Sequence, residues 1–187
     1  MKTPWALTCA LFLAFTLSAL AACNASGSAS LSGGTGRLEV HLTDAPIDLS
    51  GVASVAVTIT DVLVYSGVEG MTEDATGPIV LINHPETFDL LTLTGGATAL
   101  LASGEVPAGF YHRIRLEISE AALTYDDGST ADLKIESGKV DVPIGFQVRP
   151  GGESTVVLDF DAAASVQVNE TATGTLILRP VVTPKRQ

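Results

Sequence analysis

From Arg37 onward the chain alternates between apolar and polar residues with a period of two. Leu38, Val40 and Leu42 alternate with Glu39, His41 and Thr43, and Val55, Val57 and Ile59 with Ser54, Ala56 and Thr58. Phe110, His112, Ile114, Leu116 and Ile118 share one parity, opposite Tyr111, Arg113, Arg115 and Glu117. Val140, Val142, Ile144, Phe146 and Val148 form the cleanest run, followed by Val156, Leu158 and Phe160, then Val166 and Val168, then Leu176 and Leu178. Such alternation turns one side of a strand to a core and the other to water. Residues 79–82 (IVLI) are a continuous apolar run, which fits a strand covered on both sides.

Turn chemistry divides these runs. Pro107-Ala108-Gly109 precedes the strand at Phe110, and Pro150-Gly151-Gly152 separates two alternating segments. Asp126-Asp127-Gly128 between Leu123/Tyr125 and Leu133/Ile135 predicts a hairpin. The one helical signal is TALLAS, Thr98 to Ser103, so at most one short helix is expected, near 97–103. Many short strands at this spacing predict an all-β fold, an antiparallel β-sandwich of immunoglobulin-like or transthyretin/prealbumin-like type. One strand breaks its own pattern: odd positions Val55, Val57 and Ile59 lead to Asp61, while Val62 and Val64 are apolar. Pointing Asp61 inward unpaired would cost several kcal/mol, so a bulge near Thr60-Asp61 is the expected solution.

The N-terminus follows another logic. Lys2 precedes an uncharged apolar run from Trp5 to Ala22, the layout of a secretory signal. The run is short for a transmembrane helix of about 20 apolar residues. It ends in Leu20-Ala21-Ala22-Cys23, which resembles the bacterial lipobox. That resemblance implies cleavage before Cys23, lipid on its thiol and attachment to a membrane; an uncleaved anchor or a plain secretory signal is the alternative. Asn24, where Asp favours inner-membrane retention in Gram-negative lipoproteins, points to the outer membrane if there is one. Residues 24–36 (NASGSASLSGGTG) are dominated by Gly, Ser and Ala, too poor in apolar surface to offset ordering entropy. They read as a flexible tether of about 20 Å by coil statistics. The expected organisation is a signal peptide at 1–22, a lipidated Cys23 with tether to 36, a sandwich over 37–183 and a tail at 184–187. Cleavage removes Cys9, and lipid occupies Cys23, so no disulfide is available to the folded part.

Composition narrows the function classes. The chain of 187 residues is 46% hydrophobic, which excludes a wholly disordered protein. Lys plus Arg number 10 against 21 Asp plus Glu, a net charge of −11. That balance opposes nucleic-acid binding, which requires clustered cations, and docking on an anionic bilayer.

The order of landmarks carries a family resemblance. Leu38 to Pro46 (LEVHLTDAP), Phe88 to Leu93 (FDLLTL), Val106 to Leu116 (VPAGFYHRIRL), Pro150-Gly151-Gly152, Val157 to Val166 (VLDFDAAASV) and Leu178 to Val182 (LRPVV) follow one another. Together they resemble the domain of unknown function 4382 over roughly residues 36–183. The resemblance implies a secreted, often lipid-anchored module and supplies no activity or catalytic residues.

The residues themselves suggest little catalysis. His41, His84 and His112 belong to no nucleophile or metal motif, and neither G-x-S-x-G nor H-E-x-x-H is present. No catalytic residue, metal site or cofactor is assigned, and an enzyme is the least expected reading. Calcium is the sharper alternative. Asp159 and Asp161 fall two apart on one strand, about 7 Å at the strand rise, and Asp126, Asp127 and Asp132 cluster at the hairpin. Against it, Asp-Gly favours a plain turn, and Asp159 and Asp161 fit a solvated strand side. For carbohydrate binding, Phe88, Phe110, Phe146 and Phe160 are expected in the core, which leaves Tyr111 as the exposed platform. The expectation is a lipid-anchored, non-catalytic module of the cell envelope with a structural, adhesion or binding role, the alternative being a calcium-dependent or carbohydrate-binding surface lipoprotein.

Overall fold

A computed structural model of the protein describes residues 34–44, 49–67, 77–169 and 175–185. The expected signal peptide, Cys23 and most of the tether lie outside these residues. The described chain is an all-β sandwich. Its strands are β1 (Thr35–Thr43), β2 (Val52–Ser66), β3 (Ile79–Ile82), β4 (Glu86–Asp89), β5 (Ala99–Pro107), β6 (Gly109–Tyr125) and β7 (Thr130–Asp132). They continue with β8 (Lys134–Ile135), β9 (Lys139–Val148), β10 (Glu153–Phe160), β11 (Val166–Asn169), β12 (Thr175–Leu178) and β13 (Val182–Lys185).

One sheet has the order β13-β10-β1-β5; a six-stranded sheet is built on β2 and β6, and β11, β12 and β8 form a smaller third. Pairing is mostly antiparallel, with β1–β10 and β12–β8 parallel. The long strands β2 and β6 pair along their length, and each is flanked by two further strands: the short β3 and β4 on β2, and the ten-residue β9 and short β7 on β6. The two larger sheets face each other across one apolar core. Leu38, Val40, Leu42, Leu158 and Phe160 enter from the first sheet, and Val57, Ile59, Val64, Leu116 and Val142 from the second. The Pro107-Ala108-Gly109 and Pro150-Gly151-Gly152 turns are two of the points at which the chain crosses from one sheet to the other.

The anomaly at Asp61 resolves as the sequence predicts. Ile59 opposes Ile118 and Asp61 opposes Glu117, which leaves Thr60 extra. Buried positions switch from Val55, Val57 and Ile59 to Val62 and Val64, and Asp61 stays out of the core. β6 changes parity at the same level, from Ile118 to Ala121, so both long strands bend together.

Three expectations are corrected. The segment near 97–103 is not helical: Ala99–Pro107 is β5, paired antiparallel with β1, with Leu101 extra opposite the Val40–His41 step. The helical turns lie elsewhere, a 3-10 turn at Leu90–Leu93 and a single α-turn, α1, at Ala162–Ser165. Residues 79–82 are not covered on both sides, since β3 is an edge strand and Val80 is 50% exposed. Finally, Phe110 is outside the core and Tyr111 inside it, the reverse of their predicted parity.

Candidate functional site

Two of the concentrations of polar side chains among the described residues do different work. The first lies where β1 ends. Thr43, Asp44 and Ser165 are the buried polar residues among those described. Thr43 Oγ1 donates to the Ala97 carbonyl at 2.7 Å and lies 3.2 Å from that of Leu93. Asp44 donates its backbone N–H to Leu93 and accepts the N–H of Ala162 on Oδ1 at 3.0 Å. The α1 turn thus carries two acceptors at its start, because Asp161 also caps it by accepting from Ala164 at 2.8 Å. Ser165 Oγ donates to the Asp161 carbonyl and accepts the Val181 N–H at 2.8 Å. Helix starts leave unpaired N–H groups, and these side chains satisfy them. The cluster is a lock that ties the end of β1 to the C-terminal segment. Asp89 does similar work at the 3-10 turn, accepting from Val55 and Leu91.

The acidic residues considered for calcium distribute accordingly. Asp161 is not on a strand with Asp159; it caps α1. Asp159 remains on β10, its Oδ1 screened from solvent without a hydrogen-bond partner among the described residues. At the predicted hairpin, Asp127 Oδ1 accepts from the Ser129 backbone at 2.8 Å and its hydroxyl at 2.6 Å. These bonds hold the Asp127 carboxyl below its ordinary range, the side-chain bond contributing most. Gly128 has φ +82°, so this is the turn the Asp-Gly step encodes. Among the described residues no three His, Cys, Asp or Glu converge as metal ligands. The histidines are dispersed: His41 on β1 faces Glu39 at 3.4 Å, His84 lies in the exposed connection between β3 and β4, and His112 is on β6.

The second polar concentration is on the outer side of the six-stranded sheet. His112 is the extra residue of β6 against β2, since Tyr65 opposes Arg113 and Ser66 opposes Tyr111. This shift turns Tyr111 inward, where it is fully buried and stacks on Phe146 with centroids 5.3 Å apart. Its hydroxyl donates to the Pro107 carbonyl at 2.7 Å, which staples the crossover from β5 to β6. Burial raises the Tyr111 phenol above its ordinary value. The expected aromatic platform is therefore absent at Tyr111.

The same shift turns Phe110 outward, 44% exposed. The tip of its ring reaches Gly145, where a Cβ would stand 3.1 Å from Cζ. Farther along β6, the Arg113 guanidinium stacks on the Tyr65 ring at 3.8 Å, with Arg115 at 5.4 Å. Arg115 makes a bidentate pair with Asp141, both contacts 2.8 Å, and Arg113 lies 3.6 Å from the same carboxylate. Arg115 holds the Asp141 carboxyl below its ordinary range. Lys139 and Glu117 pair in the next row at 3.4 Å. Sequence reasoning placed Arg113 on the polar side of its strand. It missed Phe110 and the partnership of Arg113 with Tyr65, residues of strands far apart in the chain.

A depression of about 690 Å³ lies on the other half of this sheet and is widely open. Ala56, Ala122, Glu120 and Asp132 are among the residues that line it, with Thr58 and Thr87, whose hydroxyls are 2.8 Å apart. No helix among the described residues is long and apolar enough to cross a membrane.

The fold and its surface define an all-β sandwich module that displays an aromatic and guanidinium cluster on one sheet side. The chain belongs to the family described as Domain of unknown function (DUF4382), whose model matches residues 35–180. The searches of curated proteins and of solved structures return no match.

Proposed function

We propose that the protein is a lipid-anchored, non-catalytic binding module of the cell envelope, on the outer membrane where the organism has one. The observation that carries the binding role is the exposed Phe110 ring, its tip against Gly145, on the same sheet side as the Arg113–Tyr65 stack. Exposed aromatic and Arg side chains are typical of recognition surfaces. The polar groups that could do chemistry, Thr43, Asp44, Asp161 and Ser165, instead hold the protein's own backbone. The anchor rests on Leu20-Ala21-Ala22-Cys23 behind an apolar run. Acyl chains would supply membrane affinity at about 0.8 kcal/mol per buried CH₂.

Mass spectrometry of the protein purified from its native membrane tests the anchor. The expected product begins at an acylated Cys23, and Cys23→Ser should leave the membrane fraction. An intact Met1 terminus, or unchanged fractionation of Cys23→Ser, would overturn it.

A further inference from the structure

Beyond the binding role argued above, we propose that the depression on the other half of the same sheet is a site for a small linear diammonium ligand, an aliphatic diamine or polyamine. The strand registers assemble it. Ala56 on β2 opposes Ala122 on β6, and Asp132 on β7 opposes Ala122 from its other flank. Two residues along, Thr58 opposes Glu120 on β6 and Thr87 on β4. Directly opposed residues share one side of a sheet. Their alternating neighbours Val57, Phe88, Ala121 and Leu133 belong to the core, so these six face away from it. Alanine is a poor strand residue, and an Ala–Ala pair is the reference that larger cross-strand pairs improve on. Placing that pair in the middle of four strands gives up packing and leaves space between the longer side chains around it, in a depression of about 690 Å³.

Charge sets the ligand's sign. Glu120 and Asp132 are exposed, and among the described residues neither carboxylate has a hydrogen-bond or ion-pair partner. They differ in this from Asp44, Asp127 and Asp161, whose oxygens accept from the protein's own N–H groups. No Lys or Arg is among the described residues that line the depression. The two acids occupy diagonal positions on neighbouring strands, about 7–8 Å apart, a spacing that the two ends of a four-carbon diamine can serve. Its methylenes would meet Ala56, Ala122 and the half-buried Ile135, which also lines the space. The Thr58–Thr87 hydroxyl pair keeps lone pairs that accept from an ammonium. Other occupants fit less well. A divalent metal takes about six or more oxygens, and no three His, Cys, Asp or Glu converge among the described residues. A sugar ring would call for an aromatic surface, and none is among the described lining residues. The net charge of −11 draws any cation toward the chain; the spacing of two carboxylates around an apolar space selects a diamine among them.

Isothermal titration calorimetry of the full chain in mild detergent at low salt tests the proposal. The titrants are putrescine, butylamine and magnesium chloride. Putrescine should bind one to one and more weakly as salt rises. Butylamine, which reaches one carboxylate only, should bind at least about tenfold more weakly. Glu120→Gln and Asp132→Asn should each weaken putrescine binding at least about tenfold with the melting temperature retained. Ala122→Val keeps both charges and suits a strand, and it should weaken binding at least about fivefold by filling the space. Asp126→Asn, an acid outside the lining residues, and Phe110→Ala, on the other half of the sheet, should change nothing. The site is thereby tested apart from the binding role argued above. If Glu120→Gln does not fold, Asp132→Asn and Ala122→Val decide. Absent putrescine binding, equal binding of butylamine, displacement by magnesium at equal concentration, or full affinity in Ala122→Val would overturn the assignment. So would Glu120-dependent binding of trilysine that is tighter than that of putrescine, which would make the site a peptide's.

Discussion

Tyr111 and Phe110 show how one residue of register decides which side chain meets solvent. Their alternation predicts Phe110 inside, and the structure places it outside. The cause is His112, an extra residue against β2. A bulge residue carries no mark in the sequence unless a polar residue would otherwise be buried, as Asp61 would be; that is why the bulge at Thr60 was legible and this one was not. Tyr111 also yields a test. Tyr111→Phe should cost about 1–3 kcal/mol in urea denaturation, since it leaves the Pro107 carbonyl without its donor. Burial raises the folded-state value of this phenol. Its stabilising contribution is therefore complete below the ordinary tyrosine value of 10.0 and declines as pH rises beyond it. Wild type should lose stability above about pH 10, and Tyr111→Phe should lose less over the same interval.

Among the elements, β5 and α1 were misread and β9 and β10 were not. Ala, Leu and Leu in TALLAS are good helix formers, and the extra Leu101 spoils the alternation that would have marked a strand. Pairing with β1 overrides the local preference. β9 and β10 keep strict alternation, and they supply opposite walls of one core, Val142 and Val148 from one, Val156, Leu158 and Phe160 from the other. The α1 turn has a signal that is plain in retrospect: Asp161 before Ala162-Ala163-Ala164 is an N-cap pattern. The second acceptor, Asp44, comes from the other end of the chain, and no local pattern announces it. Asp44→Ala should cost about 1–3 kcal/mol by stranding the buried Ala162 N–H. Asp44→Asn, which keeps an oxygen acceptor, should cost less. Parallel urea titrations of the two variants compare them, and equal losses would show that the bond to Ala162 is not the source of the effect.

At the scale of the whole molecule, the sandwich was readable because period-two patterning reports burial directly, while the cluster on its outer side was not. Tyr65, Arg113 and Asp141 meet only through the β2–β6 and β6–β9 registers, long-range pairings that composition and spacing do not encode. The acidic character of the chain also changes meaning with the structure in hand. Asp44, Asp127 and Asp161 accept hydrogen bonds from the protein's own N–H and O–H groups, the work a cation would otherwise do for them. The fold should accordingly stand without metal. Thermal melts in EGTA and in millimolar Ca²⁺ should nearly coincide, and a large upward shift with Ca²⁺ would reveal a specific site on the native state.

The position of β1 has a mechanical consequence. Its first residues are strapped beneath the turn that joins β9 to β10: Gly151 donates to Thr35, Arg37 donates to Gly152, and Gly36 lies so close to Arg149 that no side chain fits. From there β1 runs through the interior of its sheet, bonded on one flank to β10 and on the other to β5. A tug on the chain ahead of Gly34 is directed along this strand and loads both ladders in shear, so their bonds share the force and must fail together. A strand at the sheet's rim could be unzipped one bond at a time. The domain is thus gripped on both flanks of the strand on which any tether would pull.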